Sequence, residues 1–312
     1  MVEPVSAETT PAPAVPCRYL AYPTADGLAL FGRDWGNASD DLSASADLPA
    51  SEDLPVVCLP GVTRNSRDFE ALAGALAARG RRVVGLDFRG RGGSAFGPVA
   101  TYTPAQEAAD TIAALASLDI PRAIFIGTSR GGLVMMVLSQ ARPDLMAAAV
   151  LNDIGPVIEK AGLARISGYV GVPTFTDWPS TVARLKASQG FLFPGLDDAG
   201  WERFARQIYR DDFGTPALAY DPALAVAFKA FDPNAELPDM WPGFEAMKDI
   251  PVMVVHGALS DILSIDTVAQ MAVRHPGLTI HTVADEGHAP LLWDAATQDA
   301  IGAFIDAANP PR

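Results

Sequence analysis

Residues Gly127-Thr128-Ser129-Arg130-Gly131 fit G-x-S-x-G, a pattern that carries chemistry only where a strand runs into it and a helix leaves it. Here Ala123 to Ile126 is a compact β-forming run, and Gly131 to Ala141 has a helical pattern. A strand-to-helix turn this tight forces its central residue into strained backbone and exposes the side chain. The flanking positions must then be glycine, because a Cβ there would meet the neighbouring strand or helix. The bland alternative is a glycine-rich turn with an incidental serine. A serine hydroxyl is a weak nucleophile at neutral pH and needs a base with a pKa near 7. The chain has four histidines. His288, in Asp285-Glu286-Gly287-His288-Ala289-Pro290, follows the last strand candidate, where a loop presents it at the carboxyl edge of a sheet; it is the expected base. His256 closes a strand and reads as a packed, hydrogen-bonded residue, His275 beside Pro276-Gly277 as part of a surface turn, and His281 as an edge-strand residue.

Such a base needs a carboxylate to orient it and balance its developing charge. Asp261, in Gly257-Ala258-Leu259-Ser260-Asp261-Ile262, follows the penultimate strand candidate and is the expected acid; the competing reading is a loop aspartate capping the next helix. Asp153, in Leu151-Asn152-Asp153-Ile154-Gly155, ends an earlier strand and is its rival. Acyl transfer also requires donors for an oxyanion. The backbone N–H of Arg130 and that of Val62, in the post-strand run Leu59-Pro60-Gly61-Val62-Thr63-Arg64-Asn65, are the candidates. The Arg64 and Arg130 side chains either bring positive charge to a pocket or serve as surface salt-bridge partners. Arg64, Trp178 and Trp293 are candidate pocket residues.

The elements that must position these groups alternate. Leu28 to Trp35, Val56 to Leu59, Arg82 to Phe88, Ala123 to Ile126, Ala147 to Leu151, Pro251 to His256 and Leu278 to Val283 read as strands, several of them continuously apolar, as strands covered on both faces are. Phe69, Leu72 and Leu76 recur at helical spacing before Gly80. Thr103-Pro104-Ala105-Gln106 is a capping box with proline at the first helical position, and Ile301, Phe304, Ile305 and Ala308 form a last apolar face. This alternation predicts an α/β fold with a mostly parallel central sheet flanked by helices. Residues 37–53, rich in Ser, Asp and Ala, read as a flexible insertion, and residues 1–16 as a disordered tail. Residues 155–249 contain no convincing strand, are rich in aromatic residues and read as an inserted helical lid or a second layer of core. The core is then 17–154 with 250–312.

Composition narrows the partners. The chain has 312 residues and a formal charge of −14, which argues against nucleic acid or an anionic membrane as a ligand. Two cysteines, Cys17 and Cys58, are too few for a disulfide framework. The N-terminal residues lack the basic start and apolar run of a secretory signal, and no apolar stretch is long enough to span a bilayer, so a cytoplasmic location is expected. Gly90-Arg91-Gly92-Gly93-Ser94-Ala95 satisfies G-x-G-x-x-A after a strand, with Asp110 downstream, but Pro98 and Pro104 forbid the helix that a dinucleotide site needs. Metal signatures such as H-E-x-x-H are absent, and no metal or cofactor is expected.

Taken together, residues 18 to 308 resemble the α/β-hydrolase fold superfamily. The resemblance rests on the serine elbow, on the chain order Ser129, Asp261, His288, and on Asp87-Phe88-Arg89-Gly90-Arg91-Gly92-Gly93-Ser94, which is similar to the family's aspartate-arginine-glycine turn. Residues 155–249 are similar to the family's cap between its sixth and seventh strands. Many relatives have His-Gly where this chain has Pro60-Gly61, and some place their acid where this chain has Asp153. The resemblance, strongest to lidded serine esterases and enol-lactone hydrolases, implies a serine hydrolase acting through an acyl-enzyme on a small apolar carboxylic ester or lactone. A carbon–carbon bond hydrolase, a cofactor-free perhydrolase and a slow-turnover ligand sensor use the same residues and stand as alternatives. Serine at 129 departs from the dehalogenases and epoxide hydrolases, whose nucleophile is aspartate.

Overall fold

The computed structural model describes residues 16–36, 53–173, 176–229, 232 and 234–309. All but the last residue of both the expected tail and the expected insertion at 37–53 lies outside them, as do Phe175 and Phe231. The chain opens with the hairpin β1 (Cys17–Pro23) and β2 (Ala29–Trp35), then alternates: β3 (Val56–Leu59), α1 (Glu70–Ala78), β4 (Val83–Leu86), α2 (Pro104–Ser117), β5 (Ala123–Thr128), α3 (Arg130–Ala141) and β6 (Met146–Asn152). The segment that breaks the alternation contains α4 (Lys160–Ser167), α5 (Trp178–Gln189), α6 (Asp198–Ile208), the hairpin β7 (Tyr209–Asp212) and β8 (Thr215–Leu218), α7 (Ala225–Lys229) and α8 (Trp241–Glu245). The sheet pattern then resumes with β9 (Val252–Gly257), α9 (Ile265–Arg274), β10 (Thr279–Val283) and α10 (Ala295–Ala308).

Eight strands form one sheet in the order β1-β2-β4-β3-β5-β6-β9-β10. Only the β1/β2 and β2/β4 pairs are antiparallel; the pairs from β4 to β10 are parallel. The apolar runs of β3 to β6 and β9 are buried along nearly their whole length. That burial has a layer on each face. Leu72 and Leu76 of α1, with Ile301 and Ile305 of α10, cover one side. Leu115 of α2, Met135 and Leu138 of α3, and Met271 of α9 cover the other. Each of these side chains contributes about 1.5–3 kcal/mol on being taken out of water.

Helix starts follow local chemistry. Thr103 caps α2 by accepting from Gln106 N, with Pro104 at the first helical position. Asp177, Asp197 and Asp294 cap α5, α6 and α10 in the same way. The inserted segment has a core of its own, in which Trp178, Leu185, Leu192, Phe193, Trp201, Phe204 and Ile208 pack with Leu291 from the loop after β10. Its last part belongs to the main body: Phe244 and Met247 join the sheet's core, and Ser139 Oγ donates to Gly243 O at 2.7 Å. The expectation of no strand in this segment is corrected by the short β7–β8 hairpin, which turns at Phe213-Gly214. Among the described residues no helix is long and apolar enough to cross a membrane.

The Gly90–Ala95 stretch is a turn, with no helix before the short 3-10 turn at Val99. Asp110 is engaged by Arg89, which holds it through Nε at 2.7 Å and Nη2 at 2.6 Å and reaches Asp26 as well. Asp87 accepts from Ser66 N and Gly93 N, and Gly92 N donates to Ala219 O, so the turn ties the main body to the insertion.

Candidate active site

At the carboxyl end of β5, Ser129 has φ +50° and ψ −111°, a conformation that L residues hold only where their surroundings enforce it. The enforcement is steric. A Cβ on Gly131 would run into Leu59 O, and one on Gly127 would stand 2.6 Å from Gly132 N. The serine thus sits between β5 and α3 with its N–H donating to Asn152 O of the adjacent strand. Asn152 in turn donates to Thr128 Oγ1 and Pro290 O, which draws in the loop that carries His288.

His288 Nε2 lies 2.8 Å from Ser129 Oγ, and His288 Nδ1 lies 2.8 Å from Asp153 Oδ2. Asp153 is fully buried, also at positive φ, and accepts from Gly257 N at 2.9 Å and Ser260 Oγ at 2.6 Å. The structure therefore places Asp153, not Asp261, against the histidine. Asp261 faces the other way, into α4, where Arg165 Nε and Nη2 hold its two oxygens at 2.6 and 2.7 Å. Burial would raise the Asp261 carboxyl, but the Arg165 hydrogen bonds and charge outweigh it and hold it below the usual range. The close approach of α4 is what makes the pair: Gly162 leaves no room for a Cβ against Asp261 O. The capping alternative is also set aside, since Ser260 and Ser264, not Asp261, hold the N–H groups at that loop and helix start.

The other histidines are elsewhere. His256 Nε2 pairs with Leu263 O, and His281 on edge strand β10 pairs with Thr297. His275, expected in a surface turn, is buried beside Phe244 and hydrogen-bonded to Ile250 O. The apolar face of α9 carries it inward, although Pro276-Gly277 follows.

A cavity of about 230 Å³ opens over Ser129 and His288. Gly61, Val62, Thr63 and Arg64 from the loop after β3 form one wall; Tyr169, Leu185, Phe204, Gln207, Tyr209 and Tyr220 from the inserted segment form the opposite one. Val62 is among the lining residues, and Arg91 Nε donates to its carbonyl oxygen at 2.9 Å, fixing that peptide. Among the described residues no acceptor takes the N–H of Val62 or of Arg130. The Arg130 side chain is spent on buried Glu107 and on Tyr102 O, a salt bridge inside the fold and not at its surface. Arg64 lines the cavity and is also paired with Asp68, in an ion pair of the cavity wall and not of the surface. Trp178 and Trp293 do not line the cavity. They belong to the insertion's apolar cluster, stacked under Arg206 and Arg203, and Trp293 Nε1 donates to Gln207 behind the wall. The lining aromatics missed in the sequence are Phe204, which also belongs to the insertion's apolar cluster, and the three tyrosines, which share no helical stripe that would single them out. Among the described residues no group of His, Cys, Asp and Glu is arranged to hold a metal ion.

One titrating group is built into the histidine loop. Glu286 accepts from Leu291 N at 2.7 Å across the turn containing His288. Burial pushes its carboxyl up to about 7, against the Leu291 N–H, which favours the ion, and with Asp294 and Asp285 adding to the rise. Between the unfolded value of 4.5 and about 7 the folded state binds more protons, so stability falls as pH rises through that window. Glu286→Gln keeps an acceptor for Leu291 and removes the charge. It should be more stable than the parent by ~2–3 kcal/mol above pH 8, with the difference vanishing near pH 4. Denaturant unfolding at the two pH values checks this; an equal difference at both would remove Glu286 as its source.

Residues 56–303 match the model of the alpha/beta hydrolase family. Over 253 residues the chain is 35% identical to the 3-hydroxybutyrate-oligomer hydrolase of Cupriavidus necator, covering 77% of this chain and 84% of that protein. It is 26% identical over 237 residues to the sn-1-specific diacylglycerol lipase ABHD11 of Danio rerio, covering 75% and 72%. The crystal structure of an alpha/beta hydrolase from Novosphingobium aromaticivorans superposes with a TM-score of 0.82 at 39% identity, covering 93% of this chain and 98% of that one.

Proposed function

Because this chain belongs to the alpha/beta hydrolase family, we propose that it is a serine hydrolase of carboxylic esters, lactones included, with Ser129 as nucleophile, His288 as base and Asp153 as the orienting acid. The observation that carries this reading is the continuous hydrogen-bond chain Asp153–His288–Ser129 at the floor of a cavity. Ser129 Oγ attacks the ester carbon while His288 Nε2 takes its proton; the carbonyl oxygen becomes an oxyanion held by the N–H groups of Val62 and Arg130. As the tetrahedral intermediate collapses, the C–O bond to the alcohol breaks and His288 returns the proton to the leaving oxygen. Water, deprotonated by the same nitrogen, then attacks the acyl-enzyme, and the acid departs as the proton passes back to Ser129. Asp153, accepting from Nδ1–H, keeps the free lone pair on Nε2.

The ester bond is favoured by the relatives whose names describe an oligomer hydrolase of 3-hydroxybutyrate and a diacylglycerol lipase. Size favours short acyl groups: 230 Å³ lies below the roughly 300–1,000 Å³ of pockets for drug-sized ligands. In this reading residues 155–249 act as a lid that closes the acyl site. A p-nitrophenyl ester series from acetate to palmitate tests the proposal. Each buried methylene adds ~0.8 kcal/mol, so kcat/KM should rise with acyl length, fall once the cavity is full, and product should accumulate linearly past one equivalent of enzyme. A single burst without turnover would make the protein a ligand sensor, and activity climbing to palmitate would make it a lipase of long chains.

A further inference from the structure

The hydrolytic chain leaves charged side chains of the cavity wall unused, and the pair Arg64–Asp68 stands nearest the nucleophile loop among them. Arg64 stands beside the nucleophile: a Cβ on Gly61 would lie 3.0 Å from Arg64 Cγ and 3.9 Å from Ser129 Cβ. Its Nε donates to Asp68 Oδ2 at 2.6 Å and its Nη2 to Asp68 Oδ1 at 3.0 Å, while its guanidinium lies over Phe204, 4.8 Å from the ring centre. Asp68 also accepts from Gln207 Nε2, and Gln207 Oε1 accepts from Trp293 Nε1. The carboxylate is thus met by three donors and the arginine is clamped in place. Among the described residues no acceptor takes the remaining nitrogen, Nη1. A guanidinium is donor-only, so a clamped one with a nitrogen to spare at a cavity wall is fitted to an oxygen acceptor. Charge points the same way. Among the described residues the lining includes Arg64 and Arg184 and, of the carboxylates, Asp68 alone, in a chain of net charge −14.

We propose that Arg64 is a specificity-determining residue that holds a second carboxyl oxygen of the substrate, so that esters bearing a further carboxyl function, as an ester carbonyl or a carboxylate, are turned over in preference to plain alkyl esters. This rests on the serine-esterase reading above and names its substrate class. A role confined to stapling the loop to α6 would be complete with Nε and Nη2, and it would leave substrate choice unaffected.

Three p-nitrophenyl esters with acyl chains of equal length test it: hexanoate, monomethyl succinate and the glutarate half-acid, each corrected for its spontaneous rate. The wild type should favour the last two over hexanoate about 10-fold or more in kcat/KM, the scale of a charge-assisted hydrogen bond. A preference for both identifies the acceptor as any carboxyl oxygen, and one for the glutarate alone identifies it as the anion; either upholds the proposal. Arg64→Met with Asp68→Leu, which removes both charges together, should bring the ratios to about 1. Arg64→Gln, which can still donate to Asp68, should do the same if the double variant fails to fold. Ratios near 1 in the wild type, or ratios that survive both variants, overturn the proposal while leaving the esterase reading intact. Turnover of none of the three overturns both.

Discussion

Ser129→Ala and His288→Ala should each lower kcat for an accepted ester by about 10⁴–10⁶, and combining them should cost little more than either alone, because such residues act as one unit. The geometry gives the reason. Ser129 Oγ has its hydrogen bond to His288 Nε2 at 2.8 Å. Without that nitrogen the hydroxyl keeps its proton, and without the hydroxyl the nitrogen has only water to activate. The residue of activity left would come from the Val62 and Arg130 donors and from binding. Neither change should unfold the protein: alanine at φ +50° is strained to about the same degree as serine, and His288 is held by its loop through Asn152 and Glu286. A serine-directed phosphonate should label the parent, fail on Ser129→Ala and react slowly with His288→Ala. Near-parental turnover by Ser129→Ala, at unchanged thermal stability, would end the serine mechanism.

What the sequence could say about this site depended on how local each interaction is. Val56–Leu59 and the elbow are legible because a strand buried on both faces must be continuously apolar, and because the two glycines flank the serine within one pentapeptide, although only Gly127 is forced by its own helix neighbours and Gly131 by Leu59 of the distant β3. Strand β1 is less so. Its Leu20 and Tyr22 turn inward while Tyr19 lies exposed, an alternation typical of an antiparallel edge but short and ending in Pro23. The pocket residues are the hardest. Trp178 and Trp293 are large and lie in the right segments, yet their area is better used in the insertion's own core, and the cavity is faced, besides Phe204, by three tyrosines: Tyr169 just after α4, Tyr209 at the start of β7 and Tyr220 just after β8. Nothing along the chain marks those three as neighbours; only the packing of the insertion over the sheet does. Asp153 and Asp261 differ for the same kind of reason. Both follow strands that neighbour one another, β6 and β9, and what separates them is Arg165 of α4, 96 residues before Asp261 in sequence, which engages that carboxylate and leaves Asp153 to the histidine.

That separation sets the second large expectation. Asp153→Asn should lower kcat about 10⁴-fold, as removal of the orienting carboxylate does in triads generally, and Asp261→Asn should lower it less than about 10-fold. The asparagine at 153 is nearly isosteric and its oxygen still serves Gly257 N–H, so the fold survives. Its NH₂ group, turned to His288 Nδ1, would put the ring in the opposite tautomer, with the proton on Nε2 and no lone pair for Ser129. At 261 the same substitution weakens a two-pronged ion pair that is partly open to solvent, with side-chain exposures of 17% for Arg165 and 24% for Asp261. Such a loss is worth about 1 kcal/mol of stability and touches neither Nε2 nor Nδ1. Its influence on His288 is one of distance charge only, which already shows in the slight hold of the histidine on the Asp261 carboxyl. Rates of both variants on one p-nitrophenyl ester, with melting curves alongside, decide the matter. If Asp261→Asn were the crippled enzyme and Asp153→Asn the active one, His288 would have to leave Asp153 during turnover, and the arrangement described here would be a resting state and not the working one.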